Sequence, residues 1–239
     1  MIRFILILLF LIVYLVVSIP LQMIEWIIGH FNRRAADISS LRIVQWGFKF
    51  ITFLTGSKVT INGLENIPKD HPVLYIGNHN SFFDVVLTYP LMKNLTGYIS
   101  KESIMNVPVL GIWMHLLYCI GLDRNDPRQG LQVILRAIDQ VKEGISIFIF
   151  PEGTRSKDGQ IAPFHAGSFK VATKSGCPIV PVAITGTSEI FEDHLPFIRR
   201  SDVTITFGEE IDIQNMDPES KKHIADVVRN RIIELKEAA

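Results

Sequence analysis

Apolar residues run without a charge from Phe4 to Leu21, and the apolar character continues to Ile28 with Glu25 as the sole charged residue. A stretch of about 18 or more such residues is long enough for a membrane helix, with Pro20 a candidate kink. A signal peptide fits less well, since only Arg3 precedes the apolar run and no small-residue cleavage site follows. Arg42, Gln45, Lys49 and Thr52 then recur at helical spacing as one polar stripe, while Leu41, Val44, Trp46, Phe48, Phe50, Ile51, Phe53 and Leu54 cover the rest. A narrow polar face with lysine and tryptophan nearby predicts a helix lying among lipid headgroups. A core helix has the same period. Residues 1–57 are therefore expected to form a helical membrane anchor, and residues 58–239 a separate domain. Arg33, Arg34, Arg42 and Lys49 follow the apolar segment, which by the positive-inside rule puts that domain at the cell membrane on its cytoplasmic side.

From Lys58 the period shortens. Apolar runs predict strands at residues 59–61, 73–76, 96–100, 118–122, 145–150 and 179–184. Val203, Ile205 and Phe207 alternate with Thr204 and Thr206, as a half-buried edge strand would. Helical patterns fall between the strands, at 82–91, 105–117 and 164–174. A longer helix opens at the Asp126-Pro127 cap, with Leu131, Ile134, Leu135, Ile138 and Val141 as its apolar face. Asp217-Pro218 caps a last helix carrying Ile224, Val227, Val228, Ile232 and Leu235. This alternation predicts an α/β sandwich, a mixed and mainly parallel sheet flanked by helices. Ligands bind such sheets beyond the carboxyl ends of the strands. The loops there carry His79, Lys101, Arg124 and the run Glu152, Gly153, Thr154, Arg155.

His79 sits in the turn Gly77-Asn78-His79-Asn80-Ser81, with Asp84 five positions further on. On a continuous helix such a pair would point about 140° apart. They meet only if the turn folds His79 back over the first helical turn. Asp84 could then accept a hydrogen bond from one ring nitrogen and leave the other as a base. The spacing from Ser81 to Asp84 fits a capping box equally well, with His79 a polar loop residue.

The arrangement Asn78-His79-x-Ser81-x-x-Asp84, followed by Phe150-Pro151-Glu152-Gly153-Thr154-Arg155, resembles the glycerolipid acyltransferase family and, within it, the bacterial 1-acylglycerol-3-phosphate acyltransferases. Ile120-Gly121-Leu122-Asp123-Arg124 and Ile179-Val180-Pro181-Val182-Ala183 match in the same order, over roughly residues 58–208. Asn80 stands where glutamine is usual. The resemblance implies an acyltransferase-type sandwich, with a two-helix anchor as in some bacterial members. It also implies transfer of a fatty acyl group from a thioester, on coenzyme A or acyl carrier protein, to the free hydroxyl of lysophosphatidic acid, giving phosphatidic acid. Acceptor binding is implied for the Glu152 to Arg155 block and for the block holding Arg124.

The residue types suit that chemistry. His79 is the candidate base and Asp84 its orienting partner. No serine or cysteine lies in a nucleophile elbow, so direct attack by the acceptor hydroxyl is expected. Arginine offers a planar fork for phosphate, and Gly153 allows close backbone approach. The structural alternatives are ion pairs, Arg155 with Glu152 and Arg124 with Asp123 or Asp126. Lys101, at a strand end, is a further candidate for the phosphate or a solvated lysine.

Composition narrows the partners. The 24 basic and 24 acidic residues balance, so no nucleic-acid footprint is expected. Cys119 and Cys177 lie in apolar surroundings without ligand spacing, so reduced core thiols and no metal are expected. The expected partners are a lipid bilayer, a lysophospholipid acceptor and the acyl donor, with no resident cofactor. Other acceptors, such as glycerol-3-phosphate or a different lysophospholipid, remain open. So does a hydrolase in which the same histidine activates water.

Overall fold

The computed structural model describes residues 1–123, 126–156 and 159–238. Two long helices open the chain, α1 (Ile2–Phe31), which runs on through Pro20, and α2 (Arg33–Thr55). The turn between them is capped by Asn32, whose side chain accepts from the Ala35 amide. Strands and helices then alternate. They run β1 (Lys58–Asn62), β2 (Leu74–Gly77), α3 (Phe83–Thr88), β3 (Thr96–Lys101), α4 (Glu102–Met105), α5 (Leu110–Leu116), β4 (Ile120–Leu122) and α6 (Pro127–Lys142). The second half holds β5 (Ser146–Ile149), α7 (Lys170–Ser175), β6 (Ile179–Thr185), β7 (Asp202–Phe207), α8 (Pro218–Lys222) and α9 (Ile224–Glu237).

The strands form one sheet in the order β1-β7-β6-β2-β5-β3-β4. From β6 to β4 every pairing is parallel, whereas β7 runs antiparallel to β6 and parallel to β1. Buried parallel strands need apolar residues on both faces, which is why β2 and β5 read as continuous runs. Alternate residues build the two cores. On one face the rings of Tyr75 and Tyr98 stack on Phe148 with centroids 5.7 and 4.7 Å away, in a core shared with α2, α3 and α5. On the other, Leu74, Ile76, Ile147 and Ile149 pack with α6, α7 and α9.

Several expectations change. β7 is interior, between β1 and β6. Its alternation reflects a face on which Thr204 and Thr206 stay half-buried, and a half-covered face does not require an unpaired edge. On α6, Leu131 and Leu135 are 58% and 52% exposed, while Val133, Ala137, Ile138 and Val141 are buried. The apolar arc of this helix is wider than the stripe that meets the sheet. Gln45 leaves the expected polar stripe and is buried, its amide donating to the carbonyls of Met92 at 2.8 Å and Tyr89 at 3.4 Å. The helix expected at 164–174 splits into a 3-10 turn, Ala166–Phe169, and α7.

The helix α2 thus has two sides. Leu41, Val44 and Ile51 enter the core, and Trp46 and Phe53 face outward. The same division holds on α1. Three of its polar residues, Ser18, Gln22 and Glu25, are buried against protein, Gln22 donating to the Val109 carbonyl at 2.7 Å and Glu25 accepting from Ser39 at 2.6 Å. Its outer face, with Leu9, Ile12, Val13, Val16 and Trp26, is apolar and exposed. The helix is long and apolar enough to cross a membrane, which suggests membrane association.

Candidate active site

Five neighbouring parallel strands end on one rim of the sheet. β2 leads into His79, and β3 ends at Lys101. Residues 150–155 follow β5, and Thr187 and Glu192 follow β6. β4 leads towards Arg124, which lies outside the described residues.

At the end of β2 the parallel ladder to β6 reaches Gly77 opposite Val182. Asn78 then extends it with its side chain. Its Oδ1 accepts from the Ile184 amide and its Nδ2 donates to the Ile184 carbonyl, each at 2.8 Å. With Asn78 pinned, the chain turns and brings His79 Nδ1 to 2.7 Å from Asp84 Oδ2. The same oxygen accepts from the amides of Asn80 at 2.7 Å and Ser81 at 2.8 Å, while Oδ1 accepts from Thr187 Oγ1 at 2.6 Å. Ser81 Oγ accepts in turn from the Phe83 amide at 2.9 Å. The capping box and the His–Asp contact are therefore one arrangement, and the buried Asp84 serves both. An ionised carboxylate only accepts, so with Asp84 ionised Nδ1 is the donor, and in the neutral imidazole Nε2 is then the nitrogen with the free lone pair.

The second turn holds the first in place. Glu152 Oε1 accepts from the His79 amide at 2.7 Å, and the His79 carbonyl accepts from the Ser156 amide at 2.8 Å. Glu152 Oε2 accepts from Ala162 at 3.0 Å. Burial pushes the Glu152 carboxyl pKa up, against the two amide bonds that lower it. Phe150, just past β5, stacks under the His79 ring at 4.3 Å and packs on Phe148 at 4.9 Å, so the aromatic column of the core continues to the imidazole. Gly153 has φ +72°, and a Cβ there would stand 3.3 Å from His165 Nε2. Only glycine makes this turn without strain.

Arg155 does not pair with Glu152. Its Nη1 donates to Glu192 at 2.8 Å, and its guanidinium lies 3.9 Å over the Phe82 ring. His79, Lys101, Gly153 and Arg155 share the wall of one cavity of about 1180 Å³. Buried apolar side chains such as Tyr98, Trp113 and Leu117 line its interior, and Phe4 and Ile7 of α1 close one side. This exceeds the roughly 300–1,000 Å³ of ordinary small-molecule pockets. Thr154 is exposed and takes no part in the wall, and Glu152 lies behind it.

Sequence reasoning did not single out Phe150, Thr187 or Glu192. The aromatic end of the apolar run 145–150 was a signal for Phe150. Nothing local distinguishes Thr187 or Glu192, because their partners lie between 37 and 111 residues away.

The family model described as Acyltransferase matches residues 58–185. The chain belongs to this family. Among curated relatives of this acyltransferase chain, a chloroplast protein of Brassica napus named 1-acyl-sn-glycerol-3-phosphate acyltransferase is 43% identical over 134 residues, covering 56% of this chain and 39% of that protein. The chain thus spans well under half of that relative's length. A Borreliella burgdorferi protein of the same name is 30% identical over 185 residues, covering 77% of this chain and 74% of its own. The crystal structure of the 1-acyl-sn-glycerophosphate (LPA) acyltransferase PlsC of Thermotoga maritima superimposes with a TM-score of 0.77 at 25% identity over 98% of both chains.

Proposed function

We propose that this acyltransferase moves a fatty acyl group from a thioester to the free hydroxyl of lysophosphatidic acid, giving phosphatidic acid. One observation carries the reading. His79, oriented by Asp84, stands on the wall of a large apolar cavity that also presents Arg155 and Lys101. The relatives' shared name supports the acceptor.

In this mechanism Nε2 of His79 takes the hydroxyl proton as the acceptor oxygen attacks the thioester carbonyl. Asp84 holds the imidazolium that forms. The tetrahedral intermediate collapses, the C–S bond breaks, and the imidazolium returns the proton to the leaving thiolate. No acyl-enzyme forms. The acyl chain lies in the apolar cavity. Arg155 and Lys101 hold the acceptor phosphate, together with Arg124 and the backbone of Gly153. Glu152 acts from behind by fixing the His79 backbone. The donor carries coenzyme A or acyl carrier protein.

The exposed apolar face of α1, with Trp46 and Phe53 of α2, rests on one leaflet, so residues 1–57 act as the anchor. Because the opposite face of α1 is packed on protein through Phe4, Gln22 and Glu25, the helix lies along the membrane and does not cross it. Arg33, Arg34, Arg42 and Lys49 favour the anionic cytoplasmic leaflet.

The test uses purified full-length protein with lysophosphatidic acid, glycerol-3-phosphate and lysophosphatidylcholine, each with acyl-coenzyme A and acyl carrier protein donors, read by product mass. Phosphatidic acid that forms only when lysophosphatidic acid is supplied is the expected result. Fatty acid released equally without any acceptor would make the protein a hydrolase, and preferred acylation of glycerol-3-phosphate would change the acceptor.

A further inference from the structure

The segment after β6 lies beyond residue 185, where the family match ends, yet it reaches back into the site. Glu192 is its most connected side chain. Its Oε2 accepts from Ser81 Oγ at 2.6 Å, and its Oε1 accepts from both the Phe82 amide at 2.9 Å and Arg155 Nη1 at 2.8 Å. One carboxylate thus bonds the turn that carries His79 and the turn that carries Arg155. We infer that Glu192 is a positioning residue for the acceptor, fixing the Arg155 guanidinium over the Phe82 ring and in register with His79. The inference rests on the reading of Arg155 as a phosphate-binding residue.

The geometry separates positioning from a plain surface ion pair. A solvent-exposed pair lets both side chains wander, which is why most contribute little. Here the carboxylate cannot wander. Ser81 and Phe82 hold both of its oxygens at the start of α3, and its side chain is only 17% exposed. Arg155 is held by Nη1 on one side and by the Phe82 ring on its face. A guanidinium has five N–H donors, so one bond to Glu192 leaves an edge of the fork for phosphate oxygens. Holding the long side chain in one orientation before the acceptor arrives removes an ordering cost from binding. The distance between the phosphate site and the base then becomes a property of the protein. The carrier segment is itself braced. Phe191, just before Glu192 in the chain, stacks on Phe4 of α1 with ring centroids 6.0 Å apart.

The other role open to this carboxylate is competition, in which it occupies Arg155 until phosphate displaces it. The two roles predict opposite signs. Positioning predicts that Glu192→Ala raises the KM for lysophosphatidic acid by about tenfold or more, the loss typical of a charged hydrogen-bonded contact. The donor KM should stay within about twofold, since the donor does not use Arg155. Glu192→Gln should recover most of the loss. Its amide oxygen still accepts from Phe82 and Arg155, and its NH2 can donate to Ser81 Oγ. In an Arg155→Ala background, Glu192→Ala should add nothing, because the two act as one unit.

The experiment measures acceptor KM, donor KM and kcat for full-length wild type, E192A, E192Q, R155A and E192A/R155A in the same mixed micelles. Should E192A not fold, E192D carries the test, because the shortened carboxylate cannot reach all three donors and the same rise is expected. An unchanged or lowered acceptor KM, additive effects in the double variant, or a fall in kcat alone would overturn the inference. If R155A raises acceptor KM and E192A does not, only the role of Glu192 fails. If R155A leaves acceptor KM unchanged, the phosphate assignment fails and takes this inference with it.

Discussion

Asparagine at position 84 separates the two duties that Asp84 performs. Four donors converge on its carboxylate, three on Oδ2 and Thr187 on Oδ1. An amide oxygen in the place of Oδ2 still accepts from His79, Asn80 and Ser81. An NH2 in the place of Oδ1 meets Thr187, whose hydroxyl can accept in place of donating. Asp84→Asn therefore keeps the turn and loses the charge. The stability cost is the difference between charged and neutral hydrogen bonds, offset by relief from burying a charge, and should be roughly 1–3 kcal/mol. The catalytic cost is larger. With Nδ1 and Oδ2 2.7 Å apart, the charge centres stand about 4 Å from each other, an attraction of about 4 kcal/mol at an effective dielectric constant of 20. At about 1.4 kcal/mol per decade this predicts roughly a thousandfold fall in kcat. The assay follows thiol release with lysophosphatidic acid present and pairs each rate with a melting curve. Asp84→Ala is the contrasting variant. It leaves three donors besides His79 without an acceptor in a buried site, at about 1–3 kcal/mol each, and should fold poorly. If D84N kept more than about a tenth of the wild-type rate, the charge of Asp84 would not be what stabilises the imidazolium, and the reasoning from charge attraction would fail.

Asn78→Ala removes both bonds to Ile184, and since the Ile184 carbonyl keeps Asn80 Nδ2 at 3.2 Å the cost should be about 1–3 kcal/mol for the Ile184 amide left unpaired, read as a fall in the denaturant midpoint; an unchanged midpoint would show that the side chain does not extend the ladder. Burial raises the Glu152 pKa in the folded protein, so the folded state binds that proton more tightly than the unfolded chain does. Its contribution to stability is complete below the ordinary value of 4.5 and is lost as pH rises through the raised value. The unfolding free energy of wild type minus that of Glu152→Gln should therefore decrease as pH rises from the ordinary value of 4.5, and an increase would contradict the sign. Glutamates at Ile12 and Val16, both exposed on the outer face of α1, should release the protein from liposomes while its melting temperature holds; unchanged co-sedimentation would place the membrane contact elsewhere. Point charges are the better probe here, because deleting α1 would also remove Phe4 and Ile7 from the cavity wall.

The strands were legible because β2, β5 and β6 are buried on both faces, and burial of that kind writes itself as a continuous apolar run. Helix starts at Asp126 and Asp217 were legible because capping is local chemistry, and both side chains accept from amides two and three residues on. Sheet order was not. Whether β7 lies at an edge depends on β1, well over a hundred residues away in sequence, and the Val-Thr alternation reports only which face is covered. The same limit hid Gln45, a polar residue at solvent-like spacing whose carbonyl partners lie beyond α3. In the site, His79 and Arg155 stood out because each follows a strand, and Asp84 because of its spacing from His79 and Ser81. The ion-pair partner of Arg155 did not, since sequence proximity favoured Glu152 while the fold supplies Glu192. For Ser81 and Asp84, spacing offered a choice between capping and orienting the histidine, and one carboxylate does both.

The most direct test of the central claim compares wild type with His79→Ala in forming phosphatidic acid from lysophosphatidic acid and an acyl thioester. His79 is a half-buried turn residue, and Asp84 retains its other three donors without it, so the variant should melt close to wild type. Removing a general base should lower the rate by about 100- to 10,000-fold. A folded variant that kept more than about a tenth of the wild-type rate would contradict the account, as would a wild-type protein that released fatty acid and formed no phosphatidic acid.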